Sequence, residues 1–218
     1  MKPSDECYTP VRFIRLARDV MGDIDCDPTS SEVANRVVRA RKIYTLQNDG
    51  LRKRNKWRGR VWFNCPYSDP TEFVTKLIAQ YEAGICTQAI ALLNARPGSD
   101  WFQELATRAW RCEKRKRIKF DGPGAVDKKG KRTSGFNDNV FFYLGPDPKR
   151  FAAVFGVLGN ISPPSIKLSV TSVTISVTGA GTCPACGRTL AGRRSDAQSC
   201  DAKCRKRRQR AREREAAA

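Results

Sequence analysis

The tetrapeptide Asn64-Cys65-Pro66-Tyr67 combines residue types that could act on a planar amine. It closes the strand-like segment RVWFN, at the edge where open α/β sheets bind their ligands. The side-chain oxygen of Asn64 and the main-chain carbonyl of Cys65 could each accept one amine hydrogen, which would make the nitrogen more nucleophilic. Pro66 would stiffen the turn, and Tyr67 could stack on a base flipped out of a duplex. The alternative is a plain turn, in which these residue types are frequent.

Two segments upstream could bind a nucleotide-like cofactor. In Tyr8-Thr9-Pro10, Thr9 could cap the helix that follows, and Pro10 suits its first turn. Residues 23–28 indicate a short strand that ends in carboxylates, which can accept hydrogen bonds from ribose hydroxyls. The alternative for Asp27 is that it only stabilises the positive end of the next helix.

Four cysteines near the C-terminus, Cys183, Cys186, Cys200 and Cys204, form two close pairs separated by a loop. This spacing predicts tetrahedral zinc held by four thiolates, with a structural role because protein ligands close all four positions. The alternative, four unrelated buried thiols, is disfavoured because the segment has almost no core in which to bury them. The basic run that follows, KCRKRRQRARER, predicts a helix that contacts nucleic acid, and the alternative is a solvated tail.

The overall charge favours a polyanionic partner. The 218 residues include 41 Lys and Arg against 22 Asp and Glu, which gives a net charge of +19. A membrane surface is disfavoured because the basic residues form several separate clusters, and no apolar run approaches the roughly 20 residues of a membrane span. The N-terminus lacks the apolar core of a secretory signal, so we expect a cytoplasmic protein. With no His in the chain, His-dependent catalysis and imidazole metal ligands are excluded.

The pattern of elements predicts an α/β domain with a mostly parallel sheet over residues 1–160, a linker over 161–182 and the cysteine module over 183–218. The predicted helices cover 10–21, 32–37 and 70–81, and a capping-box pattern at Thr29-Ser30-Ser31-Glu32 opens the second of them. The strongest predicted strands cover 61–65, 85–93 and 140–144.

The chain resembles the phage and prophage DNA N-6-adenine methyltransferases of the Dam type. The likeness runs in order through DECYTP, DIDCDPTSSEVAN, NDGL, GRVWFNCPYS and FFYLGPDPKRFAAVFG. It implies a Rossmann-like methyltransferase domain that transfers a methyl group from S-adenosylmethionine to the exocyclic amine of a flipped adenine. The implied partner is double-stranded DNA in the cytoplasm of a bacterial host.

The resemblance also assigns roles at the positions that match. Tyr8, Thr9 and Pro10 belong to the cofactor segment, in which Thr9 and Pro10 would contact the methionine part of S-adenosylmethionine. Either Asp25 or Asp27 would contact its ribose, and Asp49 its adenine amine, although an Asp-Gly pair is as often a turn. The four residues Asn64, Cys65, Pro66 and Tyr67 would hold the target base.

The sequence departs from the family pattern at two places. The glycine-rich cofactor loop that is familiar in methyltransferases generally is missing, and Cys65 replaces the first proline of the usual Asn-Pro-Pro-Tyr. A backbone carbonyl is what that position requires, so we expect activity to survive. One competing hypothesis is that Cys65 is a nucleophile, as in cytosine carbon-5 methyltransferases, but those enzymes place proline before the cysteine.

Three further hypotheses stay open for the function of the chain. The acceptor pair would also suit methylation of RNA adenine, or of a protein glutamine amide, because each presents a planar amine. The altered tetrapeptide and the missing glycine-rich loop would suit a zinc-containing DNA-binding protein whose methyltransferase-like domain is inactive.

Overall fold

The fold consists of six helices and seven strands within the residues described by the computed structural model, which are 7–67, 69–125, 138–166, 182–190 and 199–215. The chain divides into two compact units, Met1–Lys167 and Leu168–Ala218. The helices are α1 (Val11–Met21), α2 (Glu32–Val38), α3 (Thr71–Glu82), α4 (Asp100–Ala106), α5 (Pro148–Phe155) and α6 (Ala202–Glu215). The strands are β1 (Cys26–Asp27), β2 (Lys42–Ile43), β3 (Gly59–Phe63), β4 (Cys86–Asn94), β5 (Trp110–Lys114), β6 (Asn139–Leu144) and β7 (Gly159–Ser162).

The first unit has one sheet with the strand order β2-β1-β3-β4-β6-β5-β7. The neighbours β2, β1, β3 and β4 pair in parallel, while β6 and β7 run against their neighbours. Five strands therefore share one direction, and the predicted α/β class with a mostly parallel sheet is confirmed. After β1 the chain continues to β2, its neighbour toward one edge of the sheet. After β3 it continues to β4, its neighbour toward the opposite edge. This reversal opens a crevice between β1 and β3 at their carboxyl ends.

The sheet is covered on both faces, which explains why its central strands are continuously apolar. Alternate residues of β3 separate the two sides, because Val61 and Phe63 face α3 and α4 whereas Trp62 faces α1 and α5. In β6 the same alternation places Phe142 on the first side and Phe141 on the second. The core is thus two apolar layers that hold the strand ends in fixed positions.

Local sequence signals explain where the helices begin. The Ser31 hydroxyl caps α2 by accepting a hydrogen bond from Ala34 N at 3.1 Å. The Asp69 carboxylate accepts from Thr71 N at 3.3 Å at the start of α3. The predicted cap of α1 is wrong, because Pro10 is the N-cap residue and no side chain caps that helix. Thr9 is instead directed into the carboxyl edge of the sheet, where it bonds to Asn64.

The C-terminal part of the first unit continues past residue 160. Strand β7 pairs with β5, and its Gly159 leaves so little space that an added Cβ would lie 1.9 Å from the Glu113 carbonyl oxygen. The backbone N–H of Ser165 also donates to the Ala106 carbonyl at 2.8 Å. Most of the predicted linker, residues 167–181, lies outside the described part of the chain. None of the described helices combines the length and the apolar character that a membrane crossing requires.

An ion pair ties β1 to β3. The carboxylate of Asp25 accepts hydrogen bonds from Arg60 Nε at 2.8 Å, Nη2 at 3.0 Å and the Arg60 backbone N–H at 2.9 Å. These bonds hold the pKa of Asp25 below its usual value of 3.8. Gly59 is part of the same arrangement, since its φ is +74° and a Cβ there would lie 2.6 Å from Asp25 Oδ2.

We expect Asp25→Asn to lower the free energy of unfolding at pH 7 by about 1 to 3 kcal/mol, since three hydrogen bonds to a charged acceptor are weakened. Because the folded-state pKa of Asp25 is depressed, its contribution is present above pH 4 and is lost as the pH falls through the lowered value. Urea unfolding at several pH values should therefore show the difference shrinking in acid. The control is Asp19→Asn, an exposed site on α1, with an expected change within about 0.5 kcal/mol. An unchanged stability of Asp25→Asn at pH 7 would contradict this account.

Candidate active site

A cleft of about 360 Å³ lies at the carboxyl edge of β1, β2 and β3, within the range of small-molecule sites. Its walls are the loops that leave these three strands, together with the segment that precedes α1. The lining residues are Cys7, Tyr8, Thr9, Asp27, Pro28, Thr29, Ser30, Ser31, Ala34, Val38, Tyr44, Thr45, Leu46, Asp49, Gly50, Arg52, Trp62, Asn64, Pro66 and Phe73. The cleft is therefore at the crevice that the strand order creates between β1 and β3.

The cleft brings together six of the ten residues that the sequence nominated for catalysis or cofactor binding. They are Tyr8, Thr9, Asp27, Asp49, Asn64 and Pro66. The other four, Pro10, Asp25, Cys65 and Tyr67, are not among its lining residues. Segments separated by more than fifty residues in the chain thus meet at one edge of the sheet.

The amide group of Asn64 has a fixed orientation. Its Nδ2 donates to Thr9 Oγ1 at 3.3 Å and to the Cys7 carbonyl at 3.5 Å. The Asn64 backbone carbonyl accepts from Thr29 Oγ1 at 3.0 Å, which ties the end of β3 to the loop after β1. The side-chain oxygen Oδ1 is buried and has no hydrogen-bond partner among the described residues. A buried acceptor without a partner costs about 1 to 3 kcal/mol, so a ligand that donates a hydrogen here recovers that free energy.

Asp27 places a buried carboxyl group in the wall of the cleft. The residue is only 3% exposed, and its Oδ1 accepts from Thr29 N at 3.2 Å. Burial raises the pKa of Asp27 to about 7, so protonated and ionised forms coexist near neutral pH. The group can accept hydrogen bonds from a ligand when it is ionised. Asp25, two residues earlier, forms an ion pair with Arg60 and does not line the cleft. Of the two carboxylates that the resemblance left as alternatives, only Asp27 therefore lies in the cleft.

The loop between β2 and β3 is pressed against the loop after β1 at Gly50. A Cβ atom at this position would lie 2.1 Å from the Pro28 carbonyl oxygen. The Gly50 carbonyl accepts from Lys76 Nζ at 2.7 Å and from Trp57 Nε1 at 3.0 Å, which clamps the loop to α3 and the core. Asp49 has a φ of +42°, and its Oδ1 accepts from Leu51 N at 2.9 Å. Asp49 and Gly50 therefore form a turn, and both residues also line the cleft.

Cys65 is buried among apolar side chains on the side of the sheet that faces α3 and α4. Burial raises the pKa of its thiol well above the usual value of 9.0, so the group stays protonated at neutral pH. Since the thiolate is the reactive form, this environment disfavours Cys65 as a nucleophile. The part of Cys65 that remains available for chemistry is its main chain.

Tyr67 is half-buried, and its ring meets Phe120 edge-on with 5.9 Å between ring centroids. Its hydroxyl is buried without a hydrogen-bond partner among the described residues, and burial raises its pKa well above 10.0. Stacking of Tyr67 on a target base stays a prediction. Phe120 in turn packs among apolar residues of the face that carries α1 and α5.

Several cleft residues carry no sequence signal for their role. The pattern around Thr29 indicates only a helix cap, yet its hydroxyl joins the loop after β1 to Asn64. Gly50 lines the opposite wall and Lys76 holds it there through the Gly50 carbonyl, and neither has a local signal for that role. Leu46 lines the cleft while 66% exposed, which is an unusual exposure for a large apolar side chain. Leu46 follows β2, which ends beside Asp27. An apolar residue in that position is the one feature of the sequence that indicates this part of the cleft.

In the second unit, the four predicted metal ligands converge. The sulfur atoms of Cys183, Cys186, Cys200 and Cys204 all lie within 4.8 Å of one another. The Sγ atoms of Cys186 and Cys200 are 3.4 Å apart and those of Cys200 and Cys204 are 3.5 Å apart, close to the roughly 3.8 Å edge of a tetrahedron with 2.3 Å zinc–sulfur bonds. Gly187 makes the tight turn with a φ of +70°, and its N–H donates to the Cys183 carbonyl at 2.7 Å. The four cysteines are positioned to bind a metal ion.

Comparison with known proteins identifies the first unit. Residues 2–152 match the family described as DNA N-6-adenine-methyltransferase (Dam), which is more than half of the 218-residue chain. The chain belongs to this family. The matched range contains every lining residue of the cleft and ends before the cysteine cluster, so the second unit lies outside the Dam match.

Individual relatives cover less of this Dam-family chain. A protein of Escherichia phage T1 named DNA N-6-adenine-methyltransferase is 35% identical over 104 residues. That alignment covers 46% of the chain but only 40% of the phage protein. A crystal structure of the 23S rRNA methyltransferase ErmE aligns over 63% of this chain and 68% of that chain, at 13% identity and a TM-score of 0.37.

We expect Gly50→Ala to weaken binding of S-adenosylmethionine, the donor that the Dam family implies, by at least about tenfold, or roughly 1.4 kcal/mol. The added Cβ would meet the Pro28 carbonyl, and the two loops that form the cleft would have to separate. The dissociation constant can be measured by titration calorimetry. Gly98→Ala is the matched control, because a Cβ there has nothing within 4 Å and its backbone is not left-handed. Equal affinities of the two variants for S-adenosylmethionine would contradict the prediction that this cleft binds the methyl donor.

Proposed function

We propose that the protein transfers a methyl group from S-adenosylmethionine to the exocyclic amine of adenine in double-stranded DNA. Membership of the Dam family and the cleft at the reversal point of the sheet support this reaction. The single observation that carries it is the Asn64 side-chain oxygen, which is buried, without a partner among the described residues, and fixed by its amide nitrogen. We place the reaction in the cytoplasm of a bacterial host, as the phage relative suggests.

The cleft offers suitable contacts for the cofactor, which when bound supplies an electrophilic methyl group on a sulfonium centre. Asp27 would accept hydrogen bonds from the ribose hydroxyls at the end of β1, and Asp49 would accept from the adenine amine. Leu46, exposed at the edge of the cleft, would cover one face of that adenine ring. Tyr8 and Thr9 contribute the wall next to Asn64, and Pro10 holds their segment at the start of α1. The tight contact between Gly50 and the Pro28 carbonyl replaces the missing glycine-rich loop as the device that shapes the cleft.

The target amine would be held by two oxygens at the end of β3. Asn64 Oδ1 accepts one amine hydrogen and the Cys65 main-chain carbonyl accepts the other. Because both acceptors draw the nitrogen away from planarity, its lone pair becomes available to the methyl group. The Cys7 carbonyl decides which end of the amide faces the target amine, since a carbonyl can only accept and so holds Asn64 Nδ2, with Thr9 Oγ1 as a second partner of the same nitrogen. The orientation of the two reactants then supplies much of the acceleration.

The substrate assignment to DNA is supported by the family and by charge. The net charge of +19 gives the chain a strong attraction to phosphate. RNA adenine and protein glutamine present similar planar amines, and methylation of either is a possible outcome of the labelling assay. An inactive methyltransferase-like domain is disfavoured by the retained Asn64 acceptor and its supporting contacts.

We further propose that the four-cysteine cluster binds structural zinc. The sulfur spacing fits tetrahedral coordination by four thiolates, which is the arrangement that structural zinc requires. Zinc would fix the turn at Gly187 and the first turn of α6, which contains Cys204.

We expect Asn64→Ala to reduce the rate of methyl transfer by roughly a hundredfold or more, because an acceptor that acts in the transition state is lost. The assay uses labelled S-adenosylmethionine with unmethylated duplex DNA and, in a parallel reaction, with unmethylated RNA, followed by digestion to nucleosides. The label should appear in N6-methyladenine. Cys65→Ala is the control, and it should retain the rate within a few-fold because only the main chain of Cys65 takes part.

Label in cytosine, or a loss of activity in Cys65→Ala as large as in Asn64→Ala, would overturn the assignment and favour a thiol nucleophile. Label in RNA but not in DNA would correct the substrate. The absence of transfer to any nucleic acid would favour an inactive methyltransferase-like domain.

We expect the purified protein to contain about one zinc ion per chain, in line with four thiolate ligands. Cys200→Ser should lower the zinc content severalfold, whereas Cys7→Ser, at a cysteine outside the cluster, should not change it. Because the cleft lies in the other unit, Cys200→Ser should keep its affinity for S-adenosylmethionine. Elemental analysis and calorimetry measure the two quantities. A zinc-free wild type would refute the metal assignment.

A further inference from the structure

Helix α6 has a surface rich in cationic side chains. Among its residues with described side chains, seven are Lys or Arg: Lys203, Arg205, Lys206, Arg207, Arg208, Arg210 and Arg212. Six of the seven are exposed, and Arg208 is half-buried. At 100° per residue these positions are spread around the helix axis, with no gap between them wider than about 100°. The positive charge is therefore not confined to one face of the helix.

This sequence is unfavourable for a helix that only contacts water. Like charges stand four residues apart at the pairs Lys203 and Arg207, Lys206 and Arg210, and Arg208 and Arg212, and each such pair destabilises a helix. A helix of this length is also marginal without tertiary packing. A polyanion that surrounds the helix would remove the repulsion on all sides.

The first turn of α6 is the part that the rest of the second unit holds. Cys204 is buried with Cys183 and Cys200, and its backbone N–H donates to Asp201 Oδ1 at 2.7 Å. The later side chains that the structure describes are exposed, apart from Arg208. The cluster therefore anchors one end of the helix and leaves about three turns for a partner.

We propose that α6 binds in the major groove of double-stranded DNA, as a contact separate from the cleft of the first unit. The groove of B-form DNA is about 12 Å wide and admits an α-helix with phosphates on both walls, which suits a helix that is cationic all round. The major groove of A-form RNA is too narrow for such a helix, so the shape favours DNA. At about 21 Å, the 14 residues of α6 are long enough to cross the groove.

Binding of the full-length protein to a duplex made only of G·C pairs tests this contact without a methyl donor. Such a probe has no adenine, so its result is independent of the proposed methylation. We expect Arg210→Gln with Arg212→Gln, two turns beyond Cys204, to raise the dissociation constant five- to twentyfold at moderate salt. Its plot of log affinity against log salt concentration should lose about 2 from its slope, at roughly 0.9 for each phosphate contact.

Two control variants make the result specific. Lys42→Gln with Lys149→Gln removes the same charge from exposed sites of the first unit, at the amino ends of β2 and α5, and should change the dissociation constant less than twofold. Arg210→Lys with Arg212→Lys keeps the charge and should bind within about threefold of wild type. Fluorescence anisotropy at several salt concentrations measures all of these values.

The proposal fails if the α6 and first-unit glutamine variants lose equal affinity, since net charge alone then explains the binding. It also fails if the α6 glutamine variant binds as wild type does, or if the lysine variant loses as much affinity as the glutamine variant. A variant that loses affinity for an RNA duplex but keeps it for the DNA duplex would equally overturn the assignment to DNA.

Discussion

The architecture of the candidate active site depends on the parallel pairing of β1 with β3. The connection that follows β1 leads toward one edge of the sheet and the connection that follows β3 leads toward the other edge. The loops at the carboxyl ends of the two strands therefore diverge and leave a crevice. The ion pair of Asp25 with Arg60 fastens the strands below this crevice, and the bond from Thr29 Oγ1 to the Asn64 carbonyl fastens the loops above it. Without this pairing, the cofactor candidates and the tetrapeptide would not share a cleft.

The polar groups around the crevice fall into two sets. Some are hydrogen-bonded to other parts of the fold and stabilise it, whereas others keep acceptor atoms available for a ligand. Asp25, Lys76 and Thr29 use their hydrogen bonds to hold the fold. Asp27 and Asn64 keep acceptor capacity inside the cleft, and both incur a cost for it in a buried environment. Such costs concentrate at functional sites, because a ligand is what relieves them. The thiol of Cys65 shows the reverse case, since its burial in the core removes the side chain from chemistry while its main chain stays at the end of the strand.

The second unit follows a different physical principle. It has few apolar residues to bury, and its described core consists of three buried cysteines with Ala185 and Leu190 beside them. A metal bound by four thiolates would supply the folding free energy that so small a core lacks. The unit lies outside the region that matches the Dam family, so it is an addition to the methyltransferase domain, and its exposed cationic helix suits a role in holding nucleic acid.

The sequence by itself determined the features that depend on local pattern. Alternating strand-like and helix-like segments predicted the α/β class, because the periods of 2 and 3.6 residues reflect which side of each element is buried. The cysteine spacing predicted a cluster whose sulfur atoms converge, and the capping pattern predicted α2. The position of Asn64 after β3 was likewise readable from its neighbours.

Only the tertiary structure decided which groups meet. Asp25 and Asp27 are two residues apart, so strand periodicity gives them the same orientation, and only the distant Arg60 distinguishes the structural carboxylate from the one in the cleft. Thr9 had the local signal of a helix cap, yet its hydroxyl bonds to Asn64, 55 residues away. The close approach of Gly50 to Pro28 has no local signal either. These contacts arise from how the strands are ordered in the sheet, and that order is set by long-range packing of the whole core, which no short window of sequence contains.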